Sequence, residues 1–161
     1  MALNLHLTTP SKTIWDAPAT EIILPTKTGL VGILKGHVPL MTMIDTGLVK
    51  IRFEKIWIPI YVSGGFASVE KDEITILVNE AERGNKIDVE AAKTALEMAE
   101  ITFSEAEKPA EKLLAAQRLK KAKYRLAAAV EFPAVVPVNL PGEAKNLSGN
   151  KQSLEMLEKL E

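Results

Sequence analysis

The sequence predicts an α+β protein with two segregated parts, an N-terminal antiparallel β-sandwich followed by a C-terminal antiparallel α-helical hairpin. Up to residue 86, short β-rich runs alternate with turn residues, a spacing typical of sandwiches and flattened barrels. From Asp88 onward, apolar positions recur every three or four residues, as they do on one side of a helix. We therefore divide the chain into residues 1–86, 87–131 and 132–161.

The first part contains a series of strand-like runs. Leu3–Thr8 shows the pattern most clearly, because its apolar and polar residues alternate with period two. The predicted strands are residues 3–8, 13–15, 21–24, 29–34, 48–53, 56–62, 66–70 and 74–79. Ser63-Gly64-Gly65 lies between two of these runs and lacks the Lys and the following helix of a phosphate-binding loop. We expect a hairpin turn there.

The second part predicts two helices joined by a short break. Asp88 is a suitable N-cap for the first, and Pro109 fits the first turn of the second, where a missing N–H costs nothing. Residues 88–107 carry six acids and one base, a net charge of −5, whereas residues 108–131 carry seven bases and two acids, a net charge of +5. We expect the helices to attract each other across the hairpin, weakly enough that the hairpin can leave the sandwich.

The third part has a different composition. Pro133, Pro137, Pro141 and Gly142 predict a linker without regular structure. The last residues, 151–161, place leucines three apart and could form a short amphipathic helix that is unstable alone.

Composition excludes several kinds of site. The chain has no Cys, and neither of its two histidines, His6 and His37, belongs to a metal-ligand pattern. We find no nucleophile, acid–base pair or phosphate loop, so we expect a non-catalytic protein without a metal or cofactor. The N-terminus shows no secretory signal, and no apolar run approaches the roughly 20 residues that span a bilayer.

The strongest local feature is a basic stretch in the second helix. Its cations are Arg118, Lys120, Lys121, Lys123 and Arg125. Three interpretations remain open at this point: a solvated helix face, a docking surface for an acidic partner, and a nucleic-acid contact. The net charge of −1 and the aromatic content of 5% disfavour nucleic acid.

Several segments resemble one known family, the epsilon subunits of F-type ATP synthases. They are Trp15-Asp16, Gly29–Leu40 (GLVGILKGHVPL), Gly64–Ala67 (GGFA), Ile74–Ala81 (ITILVNEA) and Ile87-Asp88. Their order and spacing match over about residues 1–130, and their amino acids are similar to those of plastid and cyanobacterial members. The alternative is a stand-alone β-sandwich binding module whose basic helix engages nucleic acid.

The resemblance implies a non-catalytic rotor subunit of the central stalk. The sandwich would bind the gamma subunit and rest on the membrane ring of c subunits, with Leu30, Gly36 and His37 at the ring. For His37 a second interpretation stays equally open, in which the residue orders its loop by hydrogen bonding. We expect a peripheral protein on the stromal side of the chloroplast thylakoid, or else on a cyanobacterial thylakoid or the cytoplasmic side of a bacterial inner membrane.

The resemblance also implies a regulatory hairpin. Its helices would extend toward the alpha and beta catalytic subunits and inhibit ATP hydrolysis, with Arg118, Lys120, Lys121, Lys123 and Arg125 docking on an acidic segment. Some bacterial members bind ATP through an Ile-Asp-x-x-Arg-Ala pattern. Here Ile87 and Asp88 are present but Ala91 replaces the phosphate-pairing Arg, so we expect weak or absent ATP binding.

Overall fold

The structure is a computed structural model and describes residues 2–134 and 140–141. The described residues form eight strands, a 3₁₀ turn at Gly84–Lys86 and two helices. The strands are β1 (Leu3–Thr8), β2 (Thr13–Ala19), β3 (Glu21–Thr26), β4 (Gly29–Leu34), β5 (Leu40–Ile44), β6 (Gly47–Phe53), β7 (Ile56–Glu70) and β8 (Glu73–Arg83). The helices are α1 (Val89–Glu105) and α2 (Pro109–Glu131).

The long strand β7 connects most of the sandwich. Hydrogen bonding links the strands in the order β2-β1-β8-β7-β5-β3-β4, and β6 joins β3 to β7. The first half of β7 pairs with β6, its second half pairs with β5, and β8 runs along its other edge. The pairing of β1 with β8 is parallel and the other pairs are antiparallel. The predicted class, a β-sandwich followed by a helical hairpin, is confirmed.

All eight strands contribute apolar side chains to one core. Trp15 is fully buried in it and meets the ring of Phe53 edge to face, with the ring centroids 5.5 Å apart. Such aromatic pairs add about 0.5–1.5 kcal/mol to the free energy gained from buried area. The alternation of apolar residues in β1 is explained directly, because Leu3, Leu5 and Leu7 all point into this core.

The predicted hairpin turn at Ser63-Gly64-Gly65 is wrong, since β7 continues through it. Both glycines have positive φ, 64° and 155°, and a Cβ on Gly65 would lie 2.0 Å from the Leu77 carbonyl oxygen. This irregular backbone changes which residues of β7 face the core. Ile58, Ile60 and Val62 do so before the glycines, and Ala67 and Val69 after them. Glycine is therefore required here for a kink within a strand.

The strand β5 was not predicted. Its Met41 and Met43 are exposed, while Leu40 and Thr42 are half-buried. Apolar residues thus occupy both sides of the strand, and the period-two signal is absent. The other strands agree with the predicted runs, although β2 and β8 extend farther.

The two helices begin as the sequence predicts. The Asp88 carboxylate accepts hydrogen bonds from the N–H groups of Glu90 and Ala91, and Pro109 occupies the first turn of α2. The helices lie antiparallel, since one cavity between them is lined by Ala95 of α1 and Ala122 of α2, and also by Thr102 and Ala115. Small side chains at this contact allow the two helices to lie close together.

In this structure the hairpin lies against the sandwich through α2. Ala128 of α2 packs with Leu48, Tyr61 and Ile87 in a second, smaller apolar cluster. Gly84 lies directly beneath the helix, because a Cβ there would be 2.0 Å from the Ala128 carbonyl oxygen. The apolar contact between the hairpin and the sandwich is therefore small and depends on a close approach of their backbones.

The third part of the chain is described at only a few positions. Phe132 packs against the main core, and Leu140 is buried in it with 2% exposure. The predicted terminal helix at 151–161, and most of the predicted linker, lie outside the described residues.

Replacing Gly84 by Ala should undock α2. The added Cβ has no space beside Ala128, and overpacking of this kind costs about 1–3 kcal/mol. Hydrogen exchange should show faster opening of α2 while exchange in the sandwich strands is unchanged. Gly32→Ala is the matched control, since nothing lies within 4 Å of a Cβ at that position. Equal exchange in α2 for both variants would contradict the close contact.

Candidate partner-binding surfaces

The first exposed surface, here called the β4 surface, comprises β4 and the loop after it. Leu30, Leu34 and Val38 are 75%, 57% and 69% exposed, high values for large apolar side chains. Leu30 and Leu34 lie on the same side of β4, with Gly32 between them. Because β4 pairs only with β3, it is an edge strand of the sheet. The result is an apolar edge that has no covering element among the described residues.

The predicted ring-contact residues all lie on the β4 surface. Gly36 has a φ of 85°, and its N–H donates to the Asp72 carboxylate at 2.7 Å, which fixes the loop to the turn between β7 and β8. The His37 Nδ1 lies 2.6 Å from the Val38 carbonyl oxygen, so its loop-ordering role is present in the structure. Leu30 lies at the other end of β4, about 13 Å along the strand from Leu34. The structure thus brings Gly36 and His37 together and leaves Leu30 apart.

A second apolar surface, the Met–Phe strip, consists of Met41, Met43, Phe66 and Leu77. Met43 pairs with Phe66 across β5 and β7, and Phe66 pairs with Leu77 across β7 and β8. Their exposures are 59%, 51% and 41%, and Met41, on the same side of β5, is 77% exposed. Directly paired residues have Cβ atoms about 4.5–5.5 Å apart, so the strip is continuous. Exposed apolar residues grouped in this way mark interaction sites.

The Met–Phe strip was not predicted from the sequence. Its members come from three segments that are distant in sequence, so only the sheet register brings them together. One usable signal was the Met-Thr-Met motif at 41–43, because flexible Met side chains are common at binding surfaces.

The basic residues of α2 are divided between two environments. Lys120, Lys121 and Arg125 form ion pairs with acids of the sandwich, namely Asp45, Glu80 and Glu82 respectively. The Lys120 Nζ donates to Asp45 at 2.8 Å, the Lys121 Nζ lies 3.5 Å from Glu80, and the Arg125 Nη2 donates to Glu82 at 3.1 Å. The Arg125 Nε also hydrogen-bonds the Glu82 carboxylate. These cations hold the hairpin to its own sandwich.

The expected attraction between the two helices is therefore not what the structure shows. Among the described residues, the ion pairs of α2 run to the β5–β6 loop, to β6 and to β8, while the Lys93 ammonium of α1 pairs with Glu90 of the same helix. The helix–helix contact is lined mainly by alanines and other short side chains. The acids of α1 are exposed, and none of them forms an ion pair with α2 among the described residues.

Arg118 and Lys123 are the exposed members of the basic set. Arg118 lines the cavity between the helices with Thr102 and Ala115, and Lys123 lines the outer groove beside Phe103 and Tyr124. Neither forms an ion pair within residues 2–134 and 140–141. Both cations are therefore accessible to a partner in the docked state.

Electrostatics strengthen the docked contacts. The hydrogen bond from Lys120 holds the pKa of Asp45 below its ordinary value of 3.8. The hydrogen bond to Glu82 raises the pKa of Arg125, which stays fully charged. Burial, and then the hydrogen bond from Tyr61 to Glu80, raise the pKa of the Tyr61 phenol, so this side chain is a neutral donor.

Ile87 and Asp88, the remnant of the nucleotide pattern, have structural positions. Ile87 is 6% exposed beneath α2, and Asp88 caps α1. Weak or absent ATP binding stays a prediction. Over the described part of the chain, no group of three His, Asp or Glu side chains is placed to hold a metal ion. None of the helices in that part is long and apolar enough to cross a membrane.

The pairing of Lys120 with Asp45 should stabilise the docked hairpin by about 0.2–1 kcal/mol at neutral pH. A double-mutant cycle with Asp45→Asn and Lys120→Met, read from urea unfolding, measures this coupling. Because the folded state lowers the Asp45 pKa, the coupling is present at neutral pH and is lost as the pH falls below 3.8. Lys112→Met, at an exposed position of α2, is the control and should show no coupling. A coupling that is the same at pH 7 and in strong acid would refute the assignment.

The comparisons with known proteins agree with this architecture. The sequence profile of the family described as "ATP synthase, Delta/Epsilon chain, beta-sandwich domain" matches residues 2–84. The chain is 51% identical over 129 residues to the chloroplastic ATP synthase epsilon chain of Gracilaria tenuistipitata var. liui, covering 80% of this chain and 96% of that protein. It is 50% identical over 132 residues to the ATP synthase epsilon chain of Trichodesmium erythraeum, with the same coverage.

Among solved structures, a chain of the Euglena gracilis mitochondrial ATP synthase (OSCP/F1/c-ring, rotational state 1) has the same fold. The TM-score is 0.70 at 26% identity, over 80% of this chain and 81% of that chain. The relatives leave a fifth of this chain unmatched, and since the family profile already begins at residue 2, we place the unmatched part at the C-terminal end. From the family profile and the two epsilon chains together, this chain belongs to the ATP synthase epsilon-chain family.

Proposed function

We propose that this chain is a non-catalytic rotor subunit of the central stalk of a proton-translocating ATP synthase. In this role it joins the gamma subunit to the ring of c subunits and inhibits ATP hydrolysis when its hairpin extends. The observation that carries the proposal is the combination of two uncovered apolar surfaces on the sandwich with a hairpin held by a few ion pairs. A static scaffold protein would need neither feature.

The β4 surface suits the c ring. Leu30, Leu34 and Val38 present an apolar edge, and Gly36 and His37 form a loop fixed by the Asp72 carboxylate. A fixed loop loses little conformational entropy when it meets a partner, which favours a contact that must transmit torque. Gly36 has a φ of 85°, which most other residues adopt only with strain, so a glycine suits this loop conformation.

The Met–Phe strip suits the gamma subunit. It lies on the outer side of β7 and β8, and the hairpin covers the other end of that same side at Tyr61 and Glu80. A partner bound to the strip would therefore lie beside α2 and could sense its position. This adjacency supports a gamma contact and a regulatory hairpin that share one surface of the sandwich.

The hairpin suits an electrostatic brake. Its cations already bind carboxylates of the sandwich, so an acidic segment of the alpha or beta catalytic subunits competes for the same groups. Each exposed pair contributes only about 0.2–1 kcal/mol, so little free energy is lost when a cation leaves one carboxylate for another. The exposed apolar residues Ile101, Leu113 and Leu114 near the hairpin tip offer further contact area to that partner.

The relatives suggest where the complex works. The most similar epsilon chains include chloroplastic and cyanobacterial proteins, which favours the stromal side of a thylakoid membrane. The alternative interpretation, nucleic-acid binding by the basic helix, has no supporting observation, since three of its five cations are already paired within the chain.

Phe66→Glu should weaken binding to the cognate gamma subunit at least tenfold. The charge would be buried at the centre of the strip, where anchor residues commonly contribute about 2 kcal/mol or more. Isothermal titration with purified gamma measures the dissociation constant. Thr13→Glu, an exposed strand position outside both surfaces, is the control and should bind like the unmodified chain. Normal gamma binding by Phe66→Glu would remove the strip from the interface.

Neutralising the exposed cations should weaken inhibition without undocking the hairpin. The variant Arg118→Gln/Lys123→Gln is added to the cognate catalytic head lacking this subunit, and the inhibitory concentration should rise about five- to tenfold. The variant Lys120→Gln/Lys121→Gln/Arg125→Gln loses the docking ion pairs as well, so its hairpin should also exchange amide hydrogens faster. If the chain with all five cations neutralised inhibits as strongly as the unmodified one, the brake does not work through these charges.

A further inference from the structure

The chain returns to the sandwich after α2 ends. Phe132, the first residue after the helix, packs against the main core. Leu140 is buried in that same core with only 2% exposure, and it lies in the C-terminal part that we place outside the match to the two epsilon chains described above. This C-terminal residue thus adds to the core of the sandwich.

The site that receives this segment is centred on Arg83 of β8. Arg83 is 5% exposed, and its guanidinium lies 5.0 Å from the centre of the Trp15 ring and donates through Nη2 to the Ile14 carbonyl oxygen at 2.7 Å. The same nitrogen donates to the carbonyl oxygen of Pro141. A buried guanidinium needs acceptors for its N–H groups, and the returning segment supplies one of them. Residues 140–141 therefore add an apolar side chain and an acceptor to one place.

The Arg83 site lies next to the contact between α2 and the sandwich. Arg83 binds Pro141, and the next residue, Gly84, lies against Ala128 and Phe132 at the end of α2. Both ends of the segment 132–140 are consequently fixed to the same corner of the sandwich. The end of α2 is held between them.

We propose that residues 140–141 are an intramolecular tether, which binds the Arg83 site and keeps the end of α2 on the sandwich. Eight Cα–Cα steps separate Phe132 from Leu140 and span at most about 29 Å. Helices α1 and α2 contain 17 and 23 residues, so laid end to end they would carry Glu131 about 60 Å from the start of α1. The hairpin cannot extend that far while the tether is bound.

The tether gives this chain a second restraint on extension, beyond the ion pairs of α2. Its effect on ATP hydrolysis rests on the proposed inhibitory role of the extended hairpin, whereas the tether itself does not. Breaking the tether removes the stabilisation from one buried Leu side chain. The equilibrium constant between the docked and the extended hairpin should therefore shift toward the extended form by about 10- to 100-fold.

The test uses the full chain with Leu140→Asp, which places a carboxylate in the core, and the volume-conserving Leu140→Met as its control. Hydrogen exchange of the free protein is followed at residues 127–131 of α2 and in β7. We expect Leu140→Asp to speed exchange at 127–131 by about 10- to 100-fold with β7 unchanged, and Leu140→Met to behave like the unmodified chain. Unchanged exchange at 127–131 in Leu140→Asp overturns the tether.

If Leu140→Asp also speeds hydrogen exchange in β7, the same measurement is made on the milder variant Leu140→Ala. Faster exchange confined to α2 supports the tether, and equal loosening of α2 and β7 overturns it, because Leu140 would then be a core residue only. Inhibition of the catalytic head is measured in parallel. Faster exchange with stronger inhibition supports both proposals, while faster exchange with unchanged inhibition supports the tether and counts against the inhibitory role of the hairpin.

Discussion

The pairing of β7 with three other strands is the constraint on which the rest of the structure depends. β6, β5 and β8 all bond to this one strand, and β8 in turn holds the β1–β2 pair. The kink at Gly64-Gly65 lets the strand change the residues that it turns toward the core while its register with β8 continues. Both proposed functions of the outer surface follow from this geometry, since α2 covers one end of it and the Met–Phe strip lies at the other.

The sandwich and the hairpin differ in how they are stabilised. The sandwich buries apolar side chains from all eight strands, whereas the hairpin rests on Ala128, Tyr61 and Ile87 and on four ion pairs. Burial of whole Leu and Ile side chains contributes about 1.5–3 kcal/mol each, and exposed ion pairs contribute far less. The sandwich is therefore the more extensively packed part, and the hairpin is held to it by fewer and weaker contacts.

The basic residues of α2 show that a charge pattern in the sequence does not identify the partners of the charged side chains. The sequence suggested that Lys120, Lys121 and Arg125 dock on an acidic partner, which stays a prediction, and it did not indicate that they pair within the chain. Acids of α1 were the nearest in sequence, yet the helices approach through alanines and leave those acids in water. The acids in the β5–β6 loop and on β8 are tens of residues away along the chain, and only the folded sheet places them beneath α2.

The sequence by itself determined the fold class, most strand positions, both helix starts and the family, because period-two and helical spacing, an Asp cap and a Pro at the first turn act locally. Tertiary structure decided the continuity of β7 through Gly64-Gly65, the existence of β5, the Met–Phe strip and the burial of Leu140. Each of these depends on contacts between residues far apart in the chain. No local pattern encodes such contacts, since they arise only when the sheet register and the helix packing bring those residues together.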